Sequence, residues 1–105
     1  MLGLGIGTVA AYCEPGDSFR AYEINPDVIQ IATSVFTYCS LFEKRGAKAE
    51  IVVGDARISL ERELDRSQNQ GFDVLVLDVF TGDAIPVHLL TREAFAVYFQ
   101  HLAEN

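Results

Sequence analysis

Three acids, Glu23, Asp55 and Asp78, stand at or beside the ends of apolar runs, and a glycine turn, Gly3-Leu4-Gly5-Ile6-Gly7, opens the chain. Glycine has no Cβ, so such a turn lets backbone approach a ligand closely. The helix start expected behind it offers free amides and a partial positive charge. Glu23 lies about 20 residues past the first glycine, where nucleotide-binding βαβ units place the acid that accepts ribose hydroxyls. Its bland alternative is a solvated strand end. Asp55 can accept from the exocyclic amine of a base while the Ala56 amide donates to a ring nitrogen, or it can simply cap the following helix. Asp78 faces the glycine turn if the first and fourth strands are neighbours, and there it can take a proton from a nucleophile. Asp83, five residues later, is either a second carboxylate for a cationic substrate or an ordinary turn acid. His88 and His101 have no partner visible in the sequence and are given no role.

The elements that must position these residues alternate between strand and helix, which predicts a parallel sheet with helices on both faces. Met1–Leu2 reads as the stub of a first strand, and Thr8–Glu14 as a short helix ended by Pro15-Gly16. Phe19–Ile24 is the second strand. A long helix starts at the cap Asn25 and Pro26, with Val28, Ile31, Val35, Cys39 and Phe42 as its inner face, and stops at Gly46. Glu50–Val53 is the third strand and Ala56–Leu64 the third helix, with Ala56, Leu60 and Leu64 inward. Gln68–Gly71 is a turn. Phe72–Leu77 is nearly all apolar, as a buried parallel strand is. A loop spans Val79–Pro86, and Thr91 caps a last helix with Phe95, Tyr98, Phe99 and Leu102 inward. The fold expected is therefore a three-layer, Rossmann-like α/β sheet, truncated. Residues 1–105 form one nucleoside-binding domain whose first strand is nearly absent and whose later strands are missing, as in a piece of a longer protein.

The chain's 105 residues are half hydrophobic, ample for a packed core. Fifteen acids against eight Lys and Arg give a net charge of −7. With no basic stripe, nucleic acid is excluded as a partner. Cys13 and Cys39 read as buried, reduced thiols of a cytoplasmic protein. Two Cys and two distant His residues supply no metal site. The opening apolar stretch is too short to span a membrane and lacks the charged start of a signal peptide. The exposed sheet edge left by a truncated first strand predicts self-association.

Four segments in order, Leu2-Gly3-Leu4-Gly5-Ile6-Gly7-Thr8, Tyr22-Glu23-Ile24-Asn25-Pro26, Val53-Gly54-Asp55-Ala56 and Phe72–Asp78, resemble the class I S-adenosylmethionine-dependent methyltransferase fold. Together with the stretch Asp78–Phe95, they resemble most the spermidine synthase (polyamine aminopropyltransferase) family, in particular its divergent bacterial members. That resemblance implies a transferase of polyamine biosynthesis, active as part of a longer protein. Its donor would be decarboxylated S-adenosylmethionine and its acceptor a cationic amine. Gly3, Gly5, Gly7, Glu23, Ile24, Asp55 and Ala56 would hold the donor. Asp78 would be catalytic, Asp83 would contact the substrate, and no metal would be needed. The chain departs from the family pattern at Ile6, where an Asp is usual, and in the five-residue spacing of Asp78 and Asp83. The alternatives are a methyltransferase using S-adenosylmethionine itself and a non-catalytic, truncated nucleoside-binding domain. An NAD-binding domain fits less well, because the glycines follow GxGxG rather than GxGxxG.

Overall fold

The computed structural model describes residues 1–80 and 82–104. Thr81, part of the loop and of the resemblance above, lies outside the described residues, as does Asn105. The chain forms a small α/β domain. Strands β1 (Ser18–Glu23) and β2 (Lys48–Val53) pair in parallel from Ser18 against Lys48 to Glu23 against Val53. The Lys48 amide donates to the Asp17 carbonyl at 3.0 Å and the Gly54 amide to that of Glu23 at 2.9 Å, so odd-numbered β1 residues turn their backbone groups toward β2.

Even-numbered β1 residues serve the other edge. The Tyr22 amide donates to Met1 O at 2.9 Å, and the Gly3 amide donates to Tyr22 O at 2.8 Å. Leu2 then pairs on its far side: its amide donates to Val76 O at 2.7 Å, and the Asp78 amide donates to Leu2 O at 3.0 Å. Leu2 thus forms parallel bridges to both Tyr22 and Leu77. Four parallel segments lie in the order 76–78, 1–3, β1, β2. Glu23, Gly54-Asp55, Gly3 and Asp78 all follow the same carboxyl edge, which gathers residues far apart in sequence.

The strand expected over Phe72–Leu77 is realised only at its ends. Phe72 bridges Leu102, Leu77 bridges Leu2, and Val74 between them is 75% exposed. The segment beside it contributes two or three residues to the ladder, so the middle of the run lacks a neighbour to continue it.

Helices follow the strands: α1 (Pro26–Ser34), α2 (Tyr38–Lys44), α3 (Ala56–Asp65) and α4 (Arg92–His101), with 3-10 helices at Thr8–Tyr12 and Val87–Leu89. The Asn25 side chain accepts from the Asp27 amide at 2.9 Å, with Pro26 in the first turn, as expected for this cap. The single long helix expected after it is instead two. Thr33 and Ser34 turn their hydroxyls back onto the Ile29 and Gln30 carbonyls at 2.8 and 2.6 Å. Such back-bonding competes with the helix, and α1 ends there. Val35 and Ile31, expected inside, are exposed, whereas Ala32 and Phe42 are buried.

The apolar interior has two parts. Leu4, Ala10, Phe19, Ala21, Ala32, Phe42 and Ala47 form one cluster. Leu2, Tyr22, Ala56, Leu60, Leu89, Ala94 and Tyr98 form the other. Phe19 and Ala21 against Tyr22 show β1 alternating between them, as the strand period requires. Beside the second cluster lies a polar knot the sequence did not reveal. Glu63, on α3, is buried and accepts from Arg20 at 2.5 Å and from the Tyr22 hydroxyl at 2.8 Å. Arg20 also donates to the Tyr22 hydroxyl at 2.9 Å and pairs with Glu50.

The inner face of α4 differs from expectation. Ala94, Tyr98 and His101 are buried, while Phe95 and Phe99 are 40% and 67% exposed. His101, read as a residue with no role at a helix end, is fully buried. Its Nε2 lies 2.9 Å from the Leu60 carbonyl and its Nδ1 accepts from the Gln70 amide at 3.3 Å. Those contacts fix the Nε2–H tautomer and turn the 94/98/101 stripe, rather than the phenylalanines, toward α3. Cys13 and Cys39 are unpaired but half-buried rather than buried.

Candidate functional site

A cavity of about 350 Å³ lies outside the carboxyl edge of the parallel segments. Gly3, Gly5, Glu23, Ile24, Asp55, Ala56 and Asp78 all line it. This is the crevice where open α/β sheets hold ligands, and its size falls within the range of small-molecule sites.

Gly3 sits where the backbone needs it. Its φ is +85°, and a Cβ there would come within 2.2 Å of the Asp78 carbonyl oxygen. This close approach brings the glycine turn against the end of the fourth segment. Gly5, at φ +56°, has open space where a Cβ would project. Gly7 does a different job: its Cβ position is 3.0 Å from the Cys39 sulfur, so it admits α2 rather than lining the cavity.

Glu23 ties the turn down. Its Oε2 accepts from the Leu4 amide at 2.9 Å and its Oε1 accepts from the Asn25 amide at 3.1 Å. An ionised carboxylate has about four acceptor sites, so two amides leave capacity toward the cavity.

Asp55 performs one of the two tasks weighed for it, the helix cap, and its other oxygen meets a histidine that the sequence did not pair with it. Oδ1 accepts from the Ile58 amide at 3.0 Å and caps α3. Oδ2 lies 2.6 Å from Nε2 of His88. Burial pushes this carboxyl up, but the Ile58 amide and His88 outweigh it, and the group sits below the usual aspartate value. His88 stands 33 residues from Asp55 and gave no local signal of this pairing. Its segment is fixed by the Arg57 guanidinium, which donates to the His88 carbonyl at 3.0 Å, and by the Tyr98 hydroxyl, which donates to Leu89 O at 2.9 Å. Burial pushes the Tyr98 phenol up to about 12.

Val28, Val79, Phe80, Pro86, His88 and Leu89 also line it and were not singled out by sequence as binding residues. They share no spacing rule, since the loop after Asp78 carries most of them into place. Asp83 is exposed in that loop and is not among the lining residues. Among the described residues no group of three or more His, Cys, Asp or Glu is placed to hold a metal ion. None of their helices is long and apolar enough to cross a membrane.

Comparison with known proteins gives partial matches. The chain is 36% identical over 96 residues to a polyamine aminopropyltransferase of Vibrio vulnificus, covering 89% of this chain and 30% of that protein. It is 32% identical over 93 residues to an N-terminal histidine N-methyltransferase of Emericella nidulans, covering 89% of this chain and 16% of that protein. The matches support a methyltransferase-like relation. The chain thus spans less than a third of the length of these relatives. No family model and no solved structure matches it.

Proposed function

We propose that this chain is the nucleoside-binding part of a transferase that uses decarboxylated S-adenosylmethionine, built as a truncated three-layer Rossmann-like domain. The observation that carries this reading is the convergence of Gly3, Glu23, Asp55 and Asp78 on one cavity. The similarity to an aminopropyltransferase over most of the chain supports it.

In this reading the free acceptor capacity of Glu23 takes the ribose hydroxyls, with Gly3 and Gly5 keeping the backbone clear. Asp55 and the Ala56 amide read the amino and ring-nitrogen edge of the base, beside Ile24. The bound donor supplies a sulfonium whose adjacent carbon is electrophilic. An amine acceptor attacks that carbon, forming a carbon–nitrogen bond as the carbon–sulfur bond breaks and methylthioadenosine departs. The amine must be neutral to attack, and its ordinary pKa is near 10. Asp78, at the cavity wall and exposed to solvent, orients it and takes its proton. Asp83 attracts the cationic acceptor from the loop, and the acidic net charge favours its approach. The domain works in the cytoplasm within a longer, self-associating protein.

Methyl transfer from S-adenosylmethionine itself is the second reading. The histidine methyltransferase match favours it, as does Ile6, which offers no acceptor for a free amine on the donor.

Thermal stability in the presence of decarboxylated S-adenosylmethionine, S-adenosylmethionine, methylthioadenosine and NAD tests these readings. A ligand at about 100 times its Kd adds about 2.7 kcal/mol. Stabilisation by the three sulfur nucleosides and not by NAD is expected. A response to NAD alone overturns the proposal, and silence from all four favours a degenerate domain. In the longer protein, Asp78→Asn is expected to lower turnover about 100-fold or more. Turnover within a few-fold of wild type removes Asp78 from the mechanism.

A further inference from the structure

We infer that His88 is a latch on the base end of the cavity, occupying the same carboxylate oxygen that a purine amino group would use. The inference rests on the nucleoside-binding reading above and deepens it.

The geometry is specific. Asp55 is the acid at the end of β2, and its Oδ1 is committed to the Ile58 amide at 3.0 Å. His88 Nε2 lies 2.6 Å from Oδ2, which puts the imidazole where a ligand amino group would approach that oxygen. Both residues line the cavity, so the contact lies in the ligand's path rather than behind it. The Asp55 side chain is 17% exposed and that of His88 is 51% exposed. Half-exposed, the imidazole can swing into solvent while the aspartate stays anchored by its cap. The backbone of His88 is held independently, through Arg57 on its carbonyl and Tyr98 on that of Leu89. Release of the ring therefore leaves the Pro86–Leu89 wall in place.

A purine with a 6-amino group donates to Asp55 and substitutes for His88, leaving the carboxylate satisfied. A 6-oxo purine has no such donor and cannot replace the imidazole without stranding the acid. Selectivity for amino purines therefore comes from Asp55, while the latch sets a cost that every entering base meets, because each must first break the existing hydrogen bond to the carboxylate.

The test is calorimetric titration of methylthioadenosine and its 6-oxo counterpart, methylthioinosine, into wild type, His88→Ala and His88→Gln. His88→Ala is expected to bind methylthioadenosine about tenfold tighter than wild type, the scale of one hydrogen bond to a charged group. His88→Gln keeps a neutral donor and is expected to remain close to wild type. The 6-oxo compound is expected to bind weakly throughout. A His88→Ala protein of unchanged melting temperature that binds methylthioadenosine no tighter than wild type overturns the latch. So does a His88→Gln protein that binds methylthioadenosine as tightly as His88→Ala. Failure of every protein to bind either nucleoside overturns the nucleoside reading itself, and the latch with it.

Discussion

Glu23 and Leu4 are joined by a 2.9 Å hydrogen bond from the Leu4 amide to Oε2, across 19 residues of chain. Leu4 is 1% exposed, so this amide has lost its water and depends on the carboxylate. The acid that lines the cavity is therefore also the acid that shapes the glycine turn.

Replacing Glu23 by Gln should affect both. The amide side chain retains one acceptor oxygen where the carboxylate serves the Leu4 and Asn25 amides with two. One of the two amides loses its acceptor and the charge of the other bond is removed, a cost of about 1 kcal/mol in urea unfolding. Ligand stabilisation by methylthioadenosine should fall in parallel.

Gly3 and Gly5 should respond differently to alanine. Gly3→Ala drives a methyl into the Asp78 carbonyl at a position of φ +85°, and should cost at least about 2 kcal/mol. Gly5→Ala meets open space at φ +56° and should cost about 1 kcal/mol of backbone strain. Denaturant midpoints for the two variants check the contrast, and equal losses would contradict the close approach at Gly3.

Glu63→Ala should be among the most damaging single changes. It leaves the Arg20 guanidinium and the Tyr22 hydroxyl without their shared acceptor near the core. Removing one partner of a largely buried pair costs about 3 kcal/mol. The double variant Arg20→Met, Glu63→Leu removes both charges and should recover part of that loss, the Tyr22 hydroxyl still lacking a partner. Equilibrium unfolding of wild type, Arg20→Met, Glu63→Leu and the double variant as a mutant cycle measures the coupling.

Asp55 makes stability depend on pH in acid. Its folded carboxyl lies below the unfolded value, so it contributes stability that is fully present above the ordinary aspartate range near about 3.9. That contribution is lost as pH falls through the lowered folded value. Asp55→Asn can still cap α3 but does not titrate. Its stability deficit against wild type should therefore be largest near neutrality and shrink toward about pH 3, as read from urea unfolding across that range.

The sequence by itself determined the local matters. The Asn25 and Thr91 caps, the β1 and β2 runs and the helix after Asp55 follow from hydrogen-bonding groups and apolar periods within a few residues of one another. So does the list of acids at the strand ends. Tertiary structure decided what depends on distant partners. Ser34 and Thr33 ended α1 where the apolar period runs on, because a competing hydrogen bond is invisible to a count of hydrophobic positions. Hydrophobicity pointed to Phe95, Tyr98 and Phe99; Tyr98 is buried as expected, but the contacts of His101 with Leu60 and Gln70 set Ala94 and His101 beside it in place of the phenylalanines. The residues of Phe72–Leu77 have strand character, but a ladder needs a neighbour, and Leu2 offers one at the end alone. The Asp55–His88 pair joins residues 33 apart. Only the parallel order of the segments, which sets Asp78 and its loop beside Gly3 and across from Asp55, brings that imidazole to its carboxylate.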